Sequence, residues 1–163
     1  MITAARAGFG AVVMLALLAP APVVAEAAKP DPRDVAAVQN CLKTRGRTFA
    51  GEPCIGIIAD PCLKRPASKS TADMVACADR EQAVWDDLLN SLLRQLREQY
   101  DAEQREKLTE VQRVWMESRD RTCGFYAFVY RGNLAAPAFC TFRETARRAM
   151  FLRPFLDEIG SRR

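Results

Sequence analysis

The sequence contains no histidine, which removes the commonest general base of enzymes and the commonest metal ligand of proteins. It also lacks glycine-rich phosphate loops and CxxC pairs, so phosphate-binding loops and the usual zinc patterns have no counterpart here. Basic and aromatic residues are not interleaved at nucleic-acid-binding spacing, so we expect no nucleic-acid partner. After the N-terminal region no stretch is long and apolar enough to span a bilayer.

Carboxylates are plentiful, and this keeps a paired-acid hydrolase open on composition alone. Asp86 and Asp87 are the only close acidic pair in the expected helical core, and neighbours on a helix point about 100° apart instead of converging. No other recognisable catalytic constellation is present. The sequence therefore favours a binding protein that is not an enzyme and uses no metal or other cofactor.

The first 27 residues have the pattern of a secretory signal peptide. Arg6 precedes an apolar run over 9–18, and the region ends in small residues up to Ala27 that a signal peptidase accepts. A membrane anchor would need roughly 20 apolar residues, and prolines interrupt this run after about half that length. Cys41 lies too far downstream to be lipid-modified at the cleavage site. We therefore expect a periplasmic or secreted protein.

The mature chain would keep the formal net charge of +4, because cleavage removes one arginine and one glutamate. Its length suits a single domain. The sequence divides into the signal peptide (1–27), an irregular N-terminal segment with a short helix (28–60), a helical domain (61–156) and a basic tail (157–163). The small basic excess is typical of a solvated face, and an anionic envelope surface is the alternative reading.

Two long amphipathic helices between residues 70 and 131 organise the chain. Start signals, an oxygen side chain followed three residues on by an acid or amide, begin at Ser70 and at Asp101. These signals place a turn near Tyr100, and Gly132 favours a stop. The apolar stripe of the first helix is wider than one partner needs. In the second helix the expected seam is Leu108, Val111, Trp115, Ser118, Thr122, Phe125 and Val129.

A third helix beginning near Pro137 offers an apolar side that would cover the rest of the stripe, and Pro154 should kink or end it. The predicted fold is all-α. It is an antiparallel helical hairpin covered by a third helix, with an irregular disulfide-stapled N-terminal segment.

Six cysteines, all in the exported part, indicate three disulfides, although six cysteines permit 15 pairings and their order alone does not choose among them. Cys123 lies late in the second helix and Cys140 early in the third, which favours that pair. Cys62 with Cys77 would join the incoming loop to the first helix. Cys41 and Cys54 then pair by elimination.

Polar residues fall inside the apolar stripes. Glu81 and Arg119 lie at nearly equal distances from the turn, so an antiparallel hairpin predicts that they pair. Asn90 and Gln112 form a second expected contact across the hairpin. Two readings stay open: a buried polar network that fixes register, with Arg119 stacked on Trp115, or a binding site built from the same residues.

These residues carry a family resemblance. It rests on Cys62, Cys77, Glu81, Trp85-Asp86, Leu89-Asn90, Leu108, Gln112, Trp115, Arg119-Asp120, Cys123, Cys140, Thr145 and Arg148. This order resembles the bacterial LprI-type lysozyme-inhibitor domain over about residues 60 to 153. The resemblance implies an exported, disulfide-stabilised helical domain that inhibits c-type lysozyme, and it assigns no inhibitory residues. The founding type is a lipoprotein, whereas this chain has no cysteine at the cleavage site.

The resemblance implies a c-type lysozyme or another glycan hydrolase as partner, bound by stoichiometric occlusion. Lysozymes of this type are generally strongly basic, so a partner of charge +4 needs either a local acidic patch or a basic residue that enters the enzyme's acidic cleft. Asp86, Asp87, Glu98 and Asp101 are the candidate contacts around the first helix and its turn. The alternative is an envelope interaction module that binds peptidoglycan, anionic headgroups or another periplasmic protein.

Overall fold

The computed structural model describes residues 29–46, 49–67, 70–133 and 135–161. It contains five helices and a 3₁₀ segment: α1 (Pro32–Arg45), the 3₁₀ segment (Phe49–Cys54), α2 (Ala59–Leu63), α3 (Thr71–Gln99), α4 (Ala102–Val129) and α5 (Ala136–Ser161). The all-α class is confirmed. The predicted signal peptide lies outside the described residues, and no described helix is long and apolar enough to cross a membrane.

Local sequence signals set the helix ends. Ser70 and Asp101 each cap the backbone N–H of the third helical residue, and Asp73 and Gln104 return the contact to the cap residue's own N–H. These reciprocal capping boxes satisfy N–H groups that the first helical turn leaves free. The turn between α3 and α4 is therefore two residues long, as predicted. After α4, Gly132 adopts φ 92°, a conformation that favours glycine.

The core is built on α3. Its buried side chains are Cys77, Ala78, Glu81, Val84, Trp85, Leu89, Leu92, Leu93 and Leu96. Trp85 and Leu96 are fully buried, and they pack with Phe142 and Ala146 of α5. The first stripe is thus covered from more than one side, as its width predicted.

Helix α5 is the principal neighbour of α3, and this differs from the predicted hairpin packing. Gln82 of α3 contacts Thr145 of α5, and farther along the two helices Gln95 and Arg153 line one concavity, so α3 and α5 run in parallel. Helix α4 also packs on α5. Over the described residues, α3 and α4 make almost no close backbone approach along their lengths. They run in opposite directions, as predicted, but α5 lies against both.

The seam predicted for α4 is displaced around the helix. The residues that α4 buries fully are Leu108, Gln112 and Cys123, and the partly buried Trp115 and Arg119 lie on the same side. Val111, Phe125 and Val129, which were expected inside the hairpin, are about half exposed or more. Ser118 and Thr122 of the expected seam are exposed as well. The seam was wrong at these five positions because α4 packs the side that carries Gln112 and Arg119 against α5. Its most apolar stripe faces solvent.

The N-terminal segment packs on the core. Asp34 of α1 receives two hydrogen bonds from the Arg80 guanidinium of α3, at 2.6 and 2.7 Å. This bidentate geometry is the strong form of a carboxylate–arginine contact. At the other end of the chain, Pro154 does not end α5, which continues to Ser161. Much of the predicted basic tail is therefore the last turn of a helix, and residues 162–163 lie outside the described residues.

The structure joins Cys41 to Cys54, Cys62 to Cys77 and Cys123 to Cys140, the same pairs that the sequence favours. The first pair ties α1 to the 3₁₀ segment. The second ties α2 to α3, and the third ties α4 to α5. Three of the five pairs of sequential elements are therefore cross-linked, and the turn between α3 and α4 is spanned by none of these disulfides. A loop of about 15 to 17 residues stabilises the folded state by roughly 3 kcal/mol in the chain-entropy account.

Candidate functional site

Glu81 is a fully buried carboxylate with four hydrogen-bond donors. The backbone N–H of Gly56 donates to its Oε1 at 2.6 Å, and those of Ile58 and Ala59 donate to its Oε2 at 3.1 and 2.8 Å. The indole N–H of Trp85 donates to Oε1 at 3.0 Å. The carboxylate therefore closes the loop that leads into α2 onto the middle of α3. Charge-assisted bonds of this kind compensate the cost of burying a carboxylate.

The predicted pair between Glu81 and Arg119 does not form. Among the described residues Glu81 takes part in no ion pair, and the Arg119 guanidinium bonds to Asp120 at 2.8 and 2.9 Å. Thr145 of α5 lies at this level instead. Its hydroxyl accepts from Gln82 at 3.2 Å and from Arg119 at 3.4 Å, and it donates to the Thr141 carbonyl at 2.9 Å. Helix α5 thus bridges α3 and α4, the two helices that were expected to touch.

The second predicted contact, between Asn90 and Gln112, is also absent. Asn90 is exposed on α3, whereas the Gln112 side-chain oxygen accepts from Arg148 Nε at 3.0 Å. The reason is the same: α5 supplies the partner for α4. Gln112 is nevertheless buried, and its polar group is satisfied there.

Arginines and aromatic rings alternate where α4 meets α5, and this is the most chemically distinctive surface of the domain. We define the Trp115 cluster as Gln112, Trp115, Arg119, Arg148 and Phe151. The Arg119 guanidinium lies 5.0 Å from the Trp115 ring centroid, as predicted, and that of Arg148 lies 5.5 Å from the same ring and 5.4 Å from Phe151. Cation–π contacts at these distances hold both cations near the surface without a buried carboxylate.

Arg148 is the least compensated cation of the cluster. It is half-buried, forms no ion pair among the described residues, and has its Nη2 buried without a hydrogen-bond partner. Burial lowers the pKa of Arg148 below its ordinary value, because no carboxylate offsets the loss of water. Arg80 differs: its hydrogen bond to Asp34 raises its pKa. Arg148 is therefore the cation of the cluster whose charge is least balanced by the residues around it.

The four acidic candidates do not form one patch. Asp86 accepts from Gln82 at 2.7 Å, and Asp101 is occupied as the N-cap of α4. Asp87 and Glu98 are exposed on α3, but the helical rise separates them by roughly 16 Å. Among the described residues no group of three or more acidic or cysteine side chains is placed to share a metal ion.

Sequence reasoning missed three features of this region. Thr145 and Arg148 were noted only as parts of a pattern, although their positions on α5 make them the partners of the polar residues of α4. Asp34 was not singled out, because a single acid in a short N-terminal helix carries no signal for a partner in α3. The open apolar stripe of α4 was read as a covered seam.

A half-open concavity of about 330 Å³ lies between α1, α3 and α5. Leu42, Leu88, Leu92 and Met150 give it apolar walls, and Lys43 and Arg153 contribute cations. The Arg153 guanidinium already pairs with Asp157 at 2.8 Å. The N-terminal segment therefore forms one wall of this concavity, through α1, and leaves it open.

A family model described as "Lysozyme inhibitor LprI" matches residues 62–152, more than half of the chain. The matched range begins at the first cysteine of the Cys62–Cys77 pair and ends within α5, so it includes Glu81 and the whole Trp115 cluster. No curated protein and no solved structure matches the chain.

Proposed function

The chain belongs to the LprI lysozyme-inhibitor family, and from this premise we propose that it binds a lysozyme-like glycan hydrolase and inhibits it by covering the glycan cleft. Inhibition of this kind needs no bond-making step. It requires a rigid surface that stays complementary to the enzyme, and three disulfides between the packed elements supply that rigidity. The family match is the observation that carries the proposal.

Family membership and the disulfides indicate an extracytoplasmic protein, because disulfides persist in oxidising compartments. We propose that residues 1–27 are removed as a signal peptide and that the mature protein is periplasmic or secreted. The target enzyme acts on peptidoglycan in the same compartment, so export brings the two together.

The proposed contact surface is the Trp115 cluster. Glycoside hydrolases generally carry two carboxyl groups in the cleft, one on each side of the bond they cut. A guanidinium matches a carboxylate in shape and charge, and Arg148 is a cation without a carboxylate of its own among the described residues. Trp115 and Phe151 flank it with ring faces of the kind that dominate the centres of protein interfaces. The surface therefore combines a charged anchor with apolar surroundings.

The acidic residues receive a different role in this proposal. Asp87 and Glu98 are exposed and separated, so they cannot form a single pocket. Exposed charges act mainly on the rate of association, through long-range attraction that salt screens. We propose that the acids of α3 and of the turn after it offset the repulsion between a protein of charge +4 and a basic lysozyme. They include Asp86, Asp87, Glu98 and Asp101.

The test is lysis of a peptidoglycan suspension by a c-type lysozyme, titrated with the oxidised protein from residue 28 onward. Lysis should fall linearly and end near one equivalent of inhibitor when the enzyme concentration exceeds the Kd. A reduced and alkylated sample is the matched control, since it has the same amino-acid sequence without the disulfides, and it should not inhibit.

Unchanged lysis up to a large molar excess would contradict inhibition of this enzyme. Retention of the protein on purified envelope material, reversed by salt and without loss of lysozyme activity, would support the envelope-binding alternative instead. Inhibition that persists after reduction would contradict the role assigned to the rigid fold.

A further inference from the structure

The outer side of α4 carries an apolar stripe that nothing in the described structure covers. We define the α4 stripe as Val111, Val114, Ser118, Thr122, Phe125 and Val129. All six are exposed, Val114 to 53% and Phe125 to 60%. Their spacing by three and four residues keeps them on one side of the helix over about 27 Å. Phe128, exposed to 63%, stacks on Phe125 at a centroid distance of 6.2 Å and widens one end. The stripe is thus apolar at both ends, with the small hydroxyl side chains of Ser118 and Thr122 between them, and exposed apolar patches of this kind often mark interaction surfaces.

The order of residues along the stripe reads nearly the same in both directions. Val111 and Val129 lie at equal distances from position 120, and so do Ser118 and Thr122. Val114 and Phe125 are symmetric to within one residue. Two copies of α4 packed antiparallel about that position would thus place Val111 against Val129, Val114 against Phe125, and Ser118 against Thr122. Small hydroxyl side chains would meet at the centre, and larger apolar ones on either side.

The charges beside the stripe are complementary in the same register. Glu117 and Arg121 are joined within one helix at 2.6 Å, and both side chains are well exposed. Glu117 lies three residues before position 120 and Arg121 one residue after it. An antiparallel pair centred there would offset Glu117 from Arg121 of the second copy by about 3 Å along the helix axes, a distance that these long side chains can span. In a parallel pair, Glu117 would face its own counterpart, and so would Arg121. Like charges in that position are unfavourable.

We infer that the α4 stripe is the interface of a symmetric homodimer in which two α4 helices pack antiparallel. A two-fold interface uses the same patch on both subunits, which is the property that the residue order and the charges of α4 share. The inference does not depend on the proposed function. The Trp115 cluster lies on the neighbouring side of α4, against α5, so each subunit of the dimer would keep its own cluster.

Sedimentation equilibrium of the oxidised chain from residue 28 onward, over a wide concentration range, tests the inference. The expected result is a reversible dimer. Phe125→Glu should raise the dimer dissociation constant by about a hundredfold or more, because the interface would bury two of these side chains. Met116→Glu is the matched control: Met116 is also exposed on α4 but lies off the stripe, and this variant should dimerise like the parent.

A second experiment, which reverses one charge in each of two variants, separates loss of the interface from loss of folding. Glu117→Arg alone and Arg121→Glu alone each place like charges across the interface, so each should dimerise about tenfold more weakly than the parent. An equimolar mixture should recover dimers, since one variant then presents two arginines to two glutamates of the other. Recovery on mixing requires that both variants are folded.

A monomer at all concentrations would overturn the inference, as would a dimer that Phe125→Glu leaves unchanged. If the parent is monomeric and Phe125→Glu abolishes lysozyme binding, the stripe belongs to the target enzyme and not to a second copy. Failure of dimerisation with intact lysozyme inhibition would overturn this inference alone.

Discussion

The hydroxyl of Thr145 lies 3.4 Å from Nη1 of Arg119 and also accepts a hydrogen bond from Gln82, so a side chain of α5 links α3 to α4. The hydroxyl donates its own proton to the Thr141 carbonyl at 2.9 Å. A hydroxyl offers one donor and two acceptor positions, and all three are used in a fully buried site. This contact fixes the level of α4 against α3 without direct packing between them.

A double-mutant cycle tests that arrangement. Thr145→Val keeps the shape of the side chain and removes the hydroxyl, and Gln82→Ala removes its partner on α3. We expect a coupling energy of about 1 kcal/mol between the two changes in urea unfolding, the usual worth of such a hydrogen bond. The matched cycle with Glu81→Gln and Arg119→Gln should show coupling below about 0.5 kcal/mol, because these residues share no contact. A larger value for the second cycle would restore the direct hairpin pairing.

The buried Glu81 carboxylate should be essential for stability. In the parent protein the backbone N–H groups of Gly56 and Ala59 donate to the two carboxylate oxygens of Glu81. In Glu81→Gln, an NH₂ group replaces one of those oxygens, so that donors face donors. We expect a loss of about 2 to 4 kcal/mol in the free energy of unfolding, with the disulfides intact. Asp87→Asn removes the same charge from an exposed site on α3 and should change stability by less than about 0.5 kcal/mol. Equal losses of stability in the two variants would contradict the role assigned to the hydrogen bonds that Glu81 accepts.

Tyr100, the first residue of the two-residue turn between α3 and α4, should titrate late. Burial raises the pKa of its phenol above the ordinary value, and the Glu158 carboxylate adds to the shift. The unfolded chain ionises first, near pH 10, so the stability contributed by the neutral phenol is complete below about pH 10 and falls as pH rises through the folded pKa. Absorbance titration of the phenolates should show a late phase that Tyr100→Phe removes and Tyr126→Phe keeps. Loss of the late phase in the second variant would contradict the assignment.

Arg148 should contribute more to lysozyme binding than other arginines of α5. Arg148→Gln removes the cation between Trp115 and Phe151, and the Kd for lysozyme should rise about tenfold or more through faster dissociation. The lower net charge would, by itself, speed association with a basic enzyme, and the loss of the contact is therefore measured by the dissociation rate. A dissociation rate that does not increase in this variant would contradict the proposal. Arg143→Gln is the control, because Arg143 also lies over aromatic rings on α5 but outside the Trp115 cluster. Its Kd should match the parent's.

The sequence predicts best those features that depend on neighbouring residues. The capping boxes at Ser70 and Asp101 involve side chains three residues apart, and the structure forms both. Cysteine positions near predicted helix ends led to the observed disulfides. Even the predicted level of Arg119 along α3 was nearly right, because Arg119 shares the Thr145 hydroxyl with Gln82, and Gln82 lies next to the expected partner Glu81.

What the sequence did not predict depends on groups without a residue signature or on a third element. Three of the partners of Glu81 are backbone N–H groups at the start of α2 and in the turn before it, which any residue type except proline provides. For α4, the apolar period correctly identified a stripe, but a period cannot say whether that side is covered by the same chain, by a second chain or by nothing. Arg119 and Gln112 became the inward side because α5 offers Thr145 and Arg148 as partners.

The most direct test of the central claim, that the domain covers the glycan cleft, is competition. Oxidised protein is titrated calorimetrically into a c-type lysozyme, first alone and then with an N-acetylglucosamine oligomer present at about 100 times its own Kd. Because one cleft cannot hold both, the account predicts an apparent affinity about a hundredfold weaker in the presence of the oligomer. An affinity that the oligomer leaves unchanged would show binding away from the cleft and would contradict inhibition by occlusion.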